Sequence, residues 1–277
     1  MFEQQEHKKI TFIGGGNMAR SIIGGLIKRG YPAKLISVTA PTDRTRERMA
    51  DDFGVNTFED NAKGANDADV VVLAVKPQLL DVVCERLVAD MGGHGDKLYL
   101  SIAAGVPLEK LRTYLSGAPR IVRSMPNTPS LLGLGMTGLY APAGAKNEDK
   151  MLCQGLMEAV GKIVWVEEEA GINHVIAAAG SAPAYFFLFM EAIQKEAENM
   201  GFDAETAREL VQQTALGAAQ MVTESTLSFS TLRAQVTSKG GTTAEAIRTF
   251  EEGALSELVA KAMRAAVDRA DEMAKQF

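Results

Sequence analysis

The stretch Val236-Thr237-Ser238-Lys239-Gly240-Gly241-Thr242-Thr243-Ala244-Glu245-Ala246-Ile247 sets a glycine pair and two hydroxyl residues at the start of a helical pattern. Thr242 and Glu245 stand at capping-box spacing ahead of Ile247 and Phe250. A helix start offers free backbone N–H groups and the positive end of the helix dipole, which suits a small anion. Glycine lets that backbone approach a ligand closely. The same residues also read as an ordinary helix cap after a tight turn, because Ser, Thr and Gly dominate such positions.

A second glycine loop lies near the N-terminus. Phe12-Ile13-Gly14-Gly15-Gly16-Asn17-Met18-Ala19 contains G-x-G-x-x-A between a strand pattern and a helix pattern. Gly14 allows the tight turn, Gly16 admits a pyrophosphate, and Ala19 lets the helix pack closely on the strand. Alone the motif also fits a glycine-rich turn without a ligand; in its βα setting it predicts a dinucleotide site. The next strand ends Ser37-Val38-Thr39-Ala40-Pro41-Thr42-Asp43-Arg44, with no acid at its tip to hold a ribose 2′-hydroxyl. Thr39, Thr42 and Arg44 can donate to a 2′-phosphate, so NADP(H) is expected, with Asp43 leaving NAD(H) open. Together the two loops describe a cofactor enzyme whose substrate carries a carboxylate.

Three further turns follow strand patterns, where ligands bind in open α/β sheets. They are Ala74-Val75-Lys76-Pro77-Gln78, Ser101-Ile102-Ala103-Ala104-Gly105-Val106 and Arg123-Ser124-Met125-Pro126-Asn127-Thr128-Pro129. Lys76 is either a ribose or phosphate contact or a rim lysine. Asn127 is either an amide beside the nicotinamide or ordinary turn chemistry.

The elements that must position these loops follow from periodicity. β-rich runs at 9–13, 35–39, 69–75, 97–102 and 120–124 alternate with helical patterns at 18–28, 45–53 and 79–90. This succession predicts a Rossmann-type, doubly wound parallel sheet with right-handed crossovers. The last strand pattern is 163–166. Beyond it come helices at 171–179, 184–200, 204–223, 231–236, 243–252 and 255–275. The expected domains are therefore 1–166, nucleotide-binding, and 167–277, all-α. Residues 184–200 are apolar almost all round, which predicts burial in a core or in an interface with a second copy.

Composition bounds the function. The 277 residues are 46% apolar and 23% charged, as in a globular protein with a sizeable core. A net charge of −6 argues against nucleic acid as the main partner but not against small anions. The start MFEQQEHKKITFIGGG is too polar for a signal peptide. The most apolar stretch, 182–193, is about half the ~20 residues of a membrane span. Cys84 and Cys153, and His7, His94 and His174, show no metal-ligand spacing. A cytoplasmic protein without metal, membrane or nucleic-acid partner is expected.

The chain resembles Δ1-pyrroline-5-carboxylate reductases nearly end to end. The resemblance rests on FIGGGNMA (12–19), LAVKPQ (73–78), SIAAGV (101–106), MPNTP (125–129), GSAPAYFF (180–187), QTALGAAQM (213–221) and VTSKGGTTAEAI (236–247). It implies NAD(P)H-dependent reduction of a cyclic imine carboxylate to L-proline. It also implies a homodimer built through helical domains, which some members assemble into rings, with the active site between one subunit's nicotinamide and its partner's helical domain. By position, Ile13, Gly14, Gly15, Gly16, Asn17, Met18 and Ala19 would form the pyrophosphate turn, and Thr39 and Asn61 would lie at the adenosine ribose. Ala74, Val75, Lys76 and Pro77, with Ala103, Ala104 and Gly105, would line the rest of the cofactor cleft. Val236, Ser238, Gly241, Thr242 and Thr243 would surround the substrate. In this assignment Thr243 is the catalytic residue, its hydroxyl meeting the ring nitrogen.

The chain departs from the family pattern in places. Lys239 stands where proline is common, which loosens the loop and sets a cation beside an anion site. Ala182 replaces a common glycine before Pro183, and residues 226–231 (TLSFST) lack the usual acid and proline. Two other functions fit the same architecture. One is another imine or β-hydroxyacid oxidoreductase, but the latter class uses a helical-domain lysine, and Lys195 has no partner motif around it. The other is a non-catalytic nucleotide-binding protein, which would need no second anion loop.

Overall fold

The computed structural model describes residues 7–276. In chain order the first elements are β1 (Ile10–Ile13), α1 (Asn17–Lys28), β2 (Ile36–Thr39), α2 (Asp43–Phe53), β3 (Asn56–Phe58), α3 (Asn61–Ala65), β4 (Val70–Leu73) and α4 (Leu80–Met91). Next come β5 (Leu98–Ser101), α5 (Leu108–Tyr114), β6 (Ile121–Met125), β7 (Gly135–Tyr140), α6 (Asn147–Glu158), β8 (Gly161–Trp165) and α7 (Gly171–Val175). A π-helical turn, Ile176–Gly180, leads into α8 (Ala182–Asn199), α9 (Ala204–Thr223), α10 (Phe229–Gln235), α11 (Thr242–Glu252) and α12 (Leu255–Ala274).

The strands form one sheet in the order β3-β2-β1-β4-β5-β6-β7-β8. All neighbours are parallel except β6 and β7, so the Rossmann-type half carries a reversed pair at one edge. β7 and β3 are absent from the sequence pattern for physical reasons. β7 reads Gly-Met-Thr-Gly-Leu-Tyr, and its two glycines erase the β signature. β3 has three residues and lies at the edge.

β4 shows why a continuous apolar run makes a central strand. Val70 and Val72 join the core on one face, with α1 and α6, whereas Val71 and Leu73 join the core on the other, with α4 and α5. Successive side chains point to opposite faces, so a strand covered on both sides must be apolar throughout. Cys153 fills the first core and Cys84 the second. Burial pushes the Cys84 thiol up to about 12 and raises that of Cys153 as well, so both stay protonated and inert.

The chain divides into two compact units, one running to Ser181 and resuming at Ala266, the other Ala182–Ala265. The first unit extends to Ser181 because the first helix past β8 still packs on the sheet. Ile172 and Ala177 are buried. Val175 sits over Gly138 of β7 so closely that a methyl group there would lie 2.8 Å from its Cγ1. The end of α12 belongs to the same unit: Ala270 is buried, and Asn173 Nδ2 donates to Asp271 Oδ1 at 2.6 Å.

The second unit covers little of its own apolar surface. α8 has no buried residue, and Phe186, Phe187 and Leu188 are 65%, 64% and 68% exposed. An apolar surface of this extent on a single chain marks an interface. The helical run 171–199 is also, by length and composition alone, long and apolar enough to cross a membrane, with a mean hydropathy of 1.5. The periodicity at 182–193 understated that length because the π turn joins α7 to α8 without a break.

Candidate active site

The cofactor loop is built at the switch point of the sheet. β1 pairs with β2 on one side and β4 on the other, so the turn after Ile13 opens over a crevice between Thr39 and Leu73. The Gly14 N–H donates to the Thr39 carbonyl at 3.0 Å, and the Ala74 N–H donates to the Ile13 carbonyl at 2.9 Å. Gly14 has φ +107°, and a methyl group on it would lie 2.8 Å from the Ala74 carbonyl oxygen. Only glycine satisfies both demands. Gly16 is the N-cap of α1 with no side-chain cap, and the first helical bond to its carbonyl comes from Arg20. The N–H groups of Asn17, Met18 and Ala19 thus lack helical acceptors, and a methyl group on Gly16 would meet nothing within 4 Å. Free donors above an open glycine fit a dinucleotide pyrophosphate.

A cleft of about 660 Å³ extends from this turn. Gly14, Thr39, Asn61 and Val75 line it together. Thr39 Oγ1 donates to Asn61 Oδ1 at 2.6 Å, which orients the amide and leaves its Nδ2 for a ligand. Asn61 starts α3, held there by Asp60, whose carboxylate accepts the Lys63 N–H at 2.8 Å. The cleft also has an apolar wall, Leu79, Val82 and Val83, and charged rim residues Glu59, Asp60 and Arg86 that the motifs did not reveal. The wall comes from the first turn of α4 and the residue before it and suits a flat base; a motif scan misses it because its spacing is that of any amphipathic helix.

The loop after β2 is fixed by Arg46, which donates to the Ala40 carbonyl at 2.5 Å and pairs with Asp43. Arg44 is exposed at the second position of α2, with no ion pair among the described residues. Of the three donors on this loop, Thr39 donates to Asn61 and Thr42 donates to Thr45, which leaves Arg44 unengaged among the described residues. NADPH is expected to show a lower KM than NADH. Arg44→Ala should raise the NADPH value about tenfold and leave NADH unchanged, as for one lost charge-assisted hydrogen bond. Equal constants for both nucleotides in the unaltered enzyme would contradict this.

The other residues expected to line a cofactor flank the crevice. Ala74 and Pro77 are half-buried and Lys76 is exposed. Ala103 and Gly105 are buried in the loop after β5, where Gly105 takes φ +78°. That loop has a tether sequence reasoning missed. Glu169 accepts the Leu108 N–H at 2.6 Å and pairs with the buried Arg123 of β6. A lone Glu in an acidic run carries no signal that it closes a loop 61 residues away.

Val236, Ser238, Gly241, Thr242 and Thr243 lie in the second unit. Ser238–Gly241 is a turn closed by the Gly241 N–H donating to the Ser238 carbonyl at 3.0 Å, with Gly240 at φ +73°. The capping-box assignment needs correcting. Gly241 is the N-cap, in extended conformation, Thr242 is the first helical residue, and no side chain caps the helix. Glu245 pairs with Arg248 at 2.8 Å. The glycine pair carries the chain into the helix one residue earlier than the hydroxyl pattern implies. Thr242 and Thr243 are exposed at this uncapped start, and Lys239 beside them has no ion pair among the described residues.

A glycine turn at a sheet switch point with an open cleft beside it defines a dinucleotide-binding fold, and the helical unit adds an exposed apolar surface of the kind that marks an interface. Residues 169–273 match the family model described as pyrroline-5-carboxylate reductase dimerisation, and residues 9–105 match that of NADP oxidoreductase, coenzyme F420-dependent. The pyrroline-5-carboxylate reductase of Vibrio alginolyticus is 59% identical over 273 residues, covering 98% of this chain and 100% of that protein. The solved pyrroline-5-carboxylate reductase of Coxiella burnetii superposes with a TM-score of 0.92 at 47% identity, over 97% of this chain and 99% of that one. The Plasmodium falciparum pyrroline carboxylate reductase, solved with NADP bound, gives 0.82 at 26% identity over 98% and 99%. This chain belongs to the pyrroline-5-carboxylate reductase family. Its helical unit is a dimerisation domain, which accounts for the apolar side chains left uncovered in one copy.

Proposed function

We infer that the protein reduces 1-pyrroline-5-carboxylate to L-proline with NADPH. The supporting observation is likeness along the whole chain, 59% identity over 98% of it, to a protein of that name. NADPH, when bound, would supply the hydride that converts the ring CH=N carbon to CH2, the nitrogen ending as N–H. The protein's own part is positioning, which contributes up to ~7–11 kcal/mol when the geometry is good. The Gly241 N–H is taken by the Ser238 carbonyl, so the free N–H groups of Thr242 and Thr243 bind the substrate carboxylate at the positive end of α11, and Gly241 lets it approach. Val236 and Ser238 close round the ring. The Thr243 hydroxyl meets the ring nitrogen, orients it and, where the imine arrives unprotonated, passes it a proton from solvent. The iminium form is the better hydride acceptor, so no strongly acidic side chain is required.

The active form is a homodimer in the cytoplasm, with dimers free to assemble into a ring, and the exposed apolar side chains of α8 serve the partner copy instead of a membrane. Phe186→Glu/Phe187→Glu is expected to give monomers by light scattering and to lose activity, because buried carboxylates cost several kcal/mol each. A dimeric, active double variant would contradict this. The reaction itself is tested with a substrate panel. NADPH oxidation with pyrroline-5-carboxylate supports the assignment; oxidation only with other imines or with keto acids overturns it.

A further inference from the structure

Pro183 has no backbone N–H, so the carbonyl four residues earlier, that of Ala179, lacks its helical donor. At this point the helix widens into the π turn Ile176–Gly180, where the Ser181 N–H donates to the Ile176 carbonyl at 2.7 Å. The missing donor comes from elsewhere. Asn127 Nδ2 donates to the Ala179 carbonyl at 3.0 Å, across 52 residues. The other end of the same amide, Oδ1, accepts the Met136 N–H of β7 at 2.9 Å. Asn127 is 8% exposed. Gly180 of the turn lies against Met125, whose Cε would be 3.1 Å from a methyl group placed there. Both ends of the Asn127 amide thus meet backbone groups.

We propose that Asn127 is a positioning residue: it supplies the hydrogen bond that Pro183 cannot make and so pins the end of β6 to the π turn. The pinned segment matters because of where the sheet places it. The pyrophosphate turn follows β1, and the adenosine end runs towards Thr39 and Asn61 on the β2 side. The other half of a dinucleotide must then lie over the ends of β4, β5 and β6, at residues 74–76, 103–105 and 125–127. Loss of the amide leaves a carbonyl and an N–H unpaired at that edge, and the edge relaxes. The adenosine pocket, built from β2, α3 and α4, is untouched.

The proposal rests on the reductase activity inferred above, so turnover by the unaltered dimer is measured first; its absence fails that activity, not the tether. Four full-length proteins are then compared: unaltered, Asn127→Ala, Pro183→Ala and the double variant. Asn127→Ala is expected to lower kcat about tenfold or more and to lower Tm, with the KM for NADPH within about twofold. Pro183→Ala alone should stay within about twofold of the unaltered enzyme. In the double variant the backbone N–H restored at position 183 reaches the Ala179 carbonyl, and kcat should recover at least about fivefold over Asn127→Ala. A purely structural role would lower Tm without changing kcat per folded dimer, and that result overturns the proposal. So does a double variant no better than Asn127→Ala. Should Asn127→Ala fail to fold, a folded, active double variant supports the tether and an unfolded one overturns it.

Discussion

Gly14→Ala is expected to destroy NADPH binding, with affinity falling at least about a hundredfold. The φ of +107° costs a residue with a Cβ ~1–3 kcal/mol in strain. The added methyl would also stand 2.8 Å from the Ala74 carbonyl oxygen and 2.9 Å from its carbon, atoms of main chain fixed by β4. The turn must move, and the donors of Asn17 to Ala19 move with it. Titration calorimetry with NADPH would show the loss, and thermal melting should show a lower Tm. Gly16→Ala separates the two effects. Its φ of −74° is ordinary and its methyl meets no protein atom, so the fold should be unchanged while the pyrophosphate is crowded. Affinity within about threefold of normal in Gly14→Ala would refute the site.

Thr243→Ala is expected to lower kcat about a hundredfold, the low end of what a positioned proton-transfer group contributes. NADPH affinity should stay within about twofold, because the cofactor cleft draws on a different unit. Thr243→Ser keeps the hydroxyl and should retain most turnover. A helix-cap role predicts the opposite pattern, a fall in Tm with kcat preserved. The structure gives Thr243 no such role, since the N-cap is Gly241 and no side chain caps α11. Full turnover by Thr243→Ala would remove the hydroxyl from the chemistry.

Much of the framework was legible because it follows local rules. The run at 69–75 had to be a central strand, and β4 occupies 70–73, between β1 and β5. The helices of the second unit fall within a few residues of their apolar patterns, since glycine, proline and acidic starts punctuate them. What escaped depends on distant partners. The reversal at β7 follows from pairing with β6, which no local period encodes. The Glu169 tether and the Asn127 bridge join segments 61 and 52 residues apart. The departures from the family pattern gain partial explanations. Ser228 in the stretch 226–231 caps α10, its Oγ accepting the Thr231 N–H at 3.2 Å. Lys239 follows the first residue of the turn Ser238–Gly241, the position that proline pre-sets best, so the turn keeps its shape without that rigidity. Nothing in the structure explains Ala182 before Pro183.

Reduction of pyrroline-5-carboxylate by NADPH must yield L-proline. The most direct measurement follows NADPH loss and L-proline formation in one reaction with pyrroline-5-carboxylate. One L-proline per NADPH consumed is the predicted result. NADPH consumed without L-proline, or tight NADPH binding with no consumption at all, would contradict it.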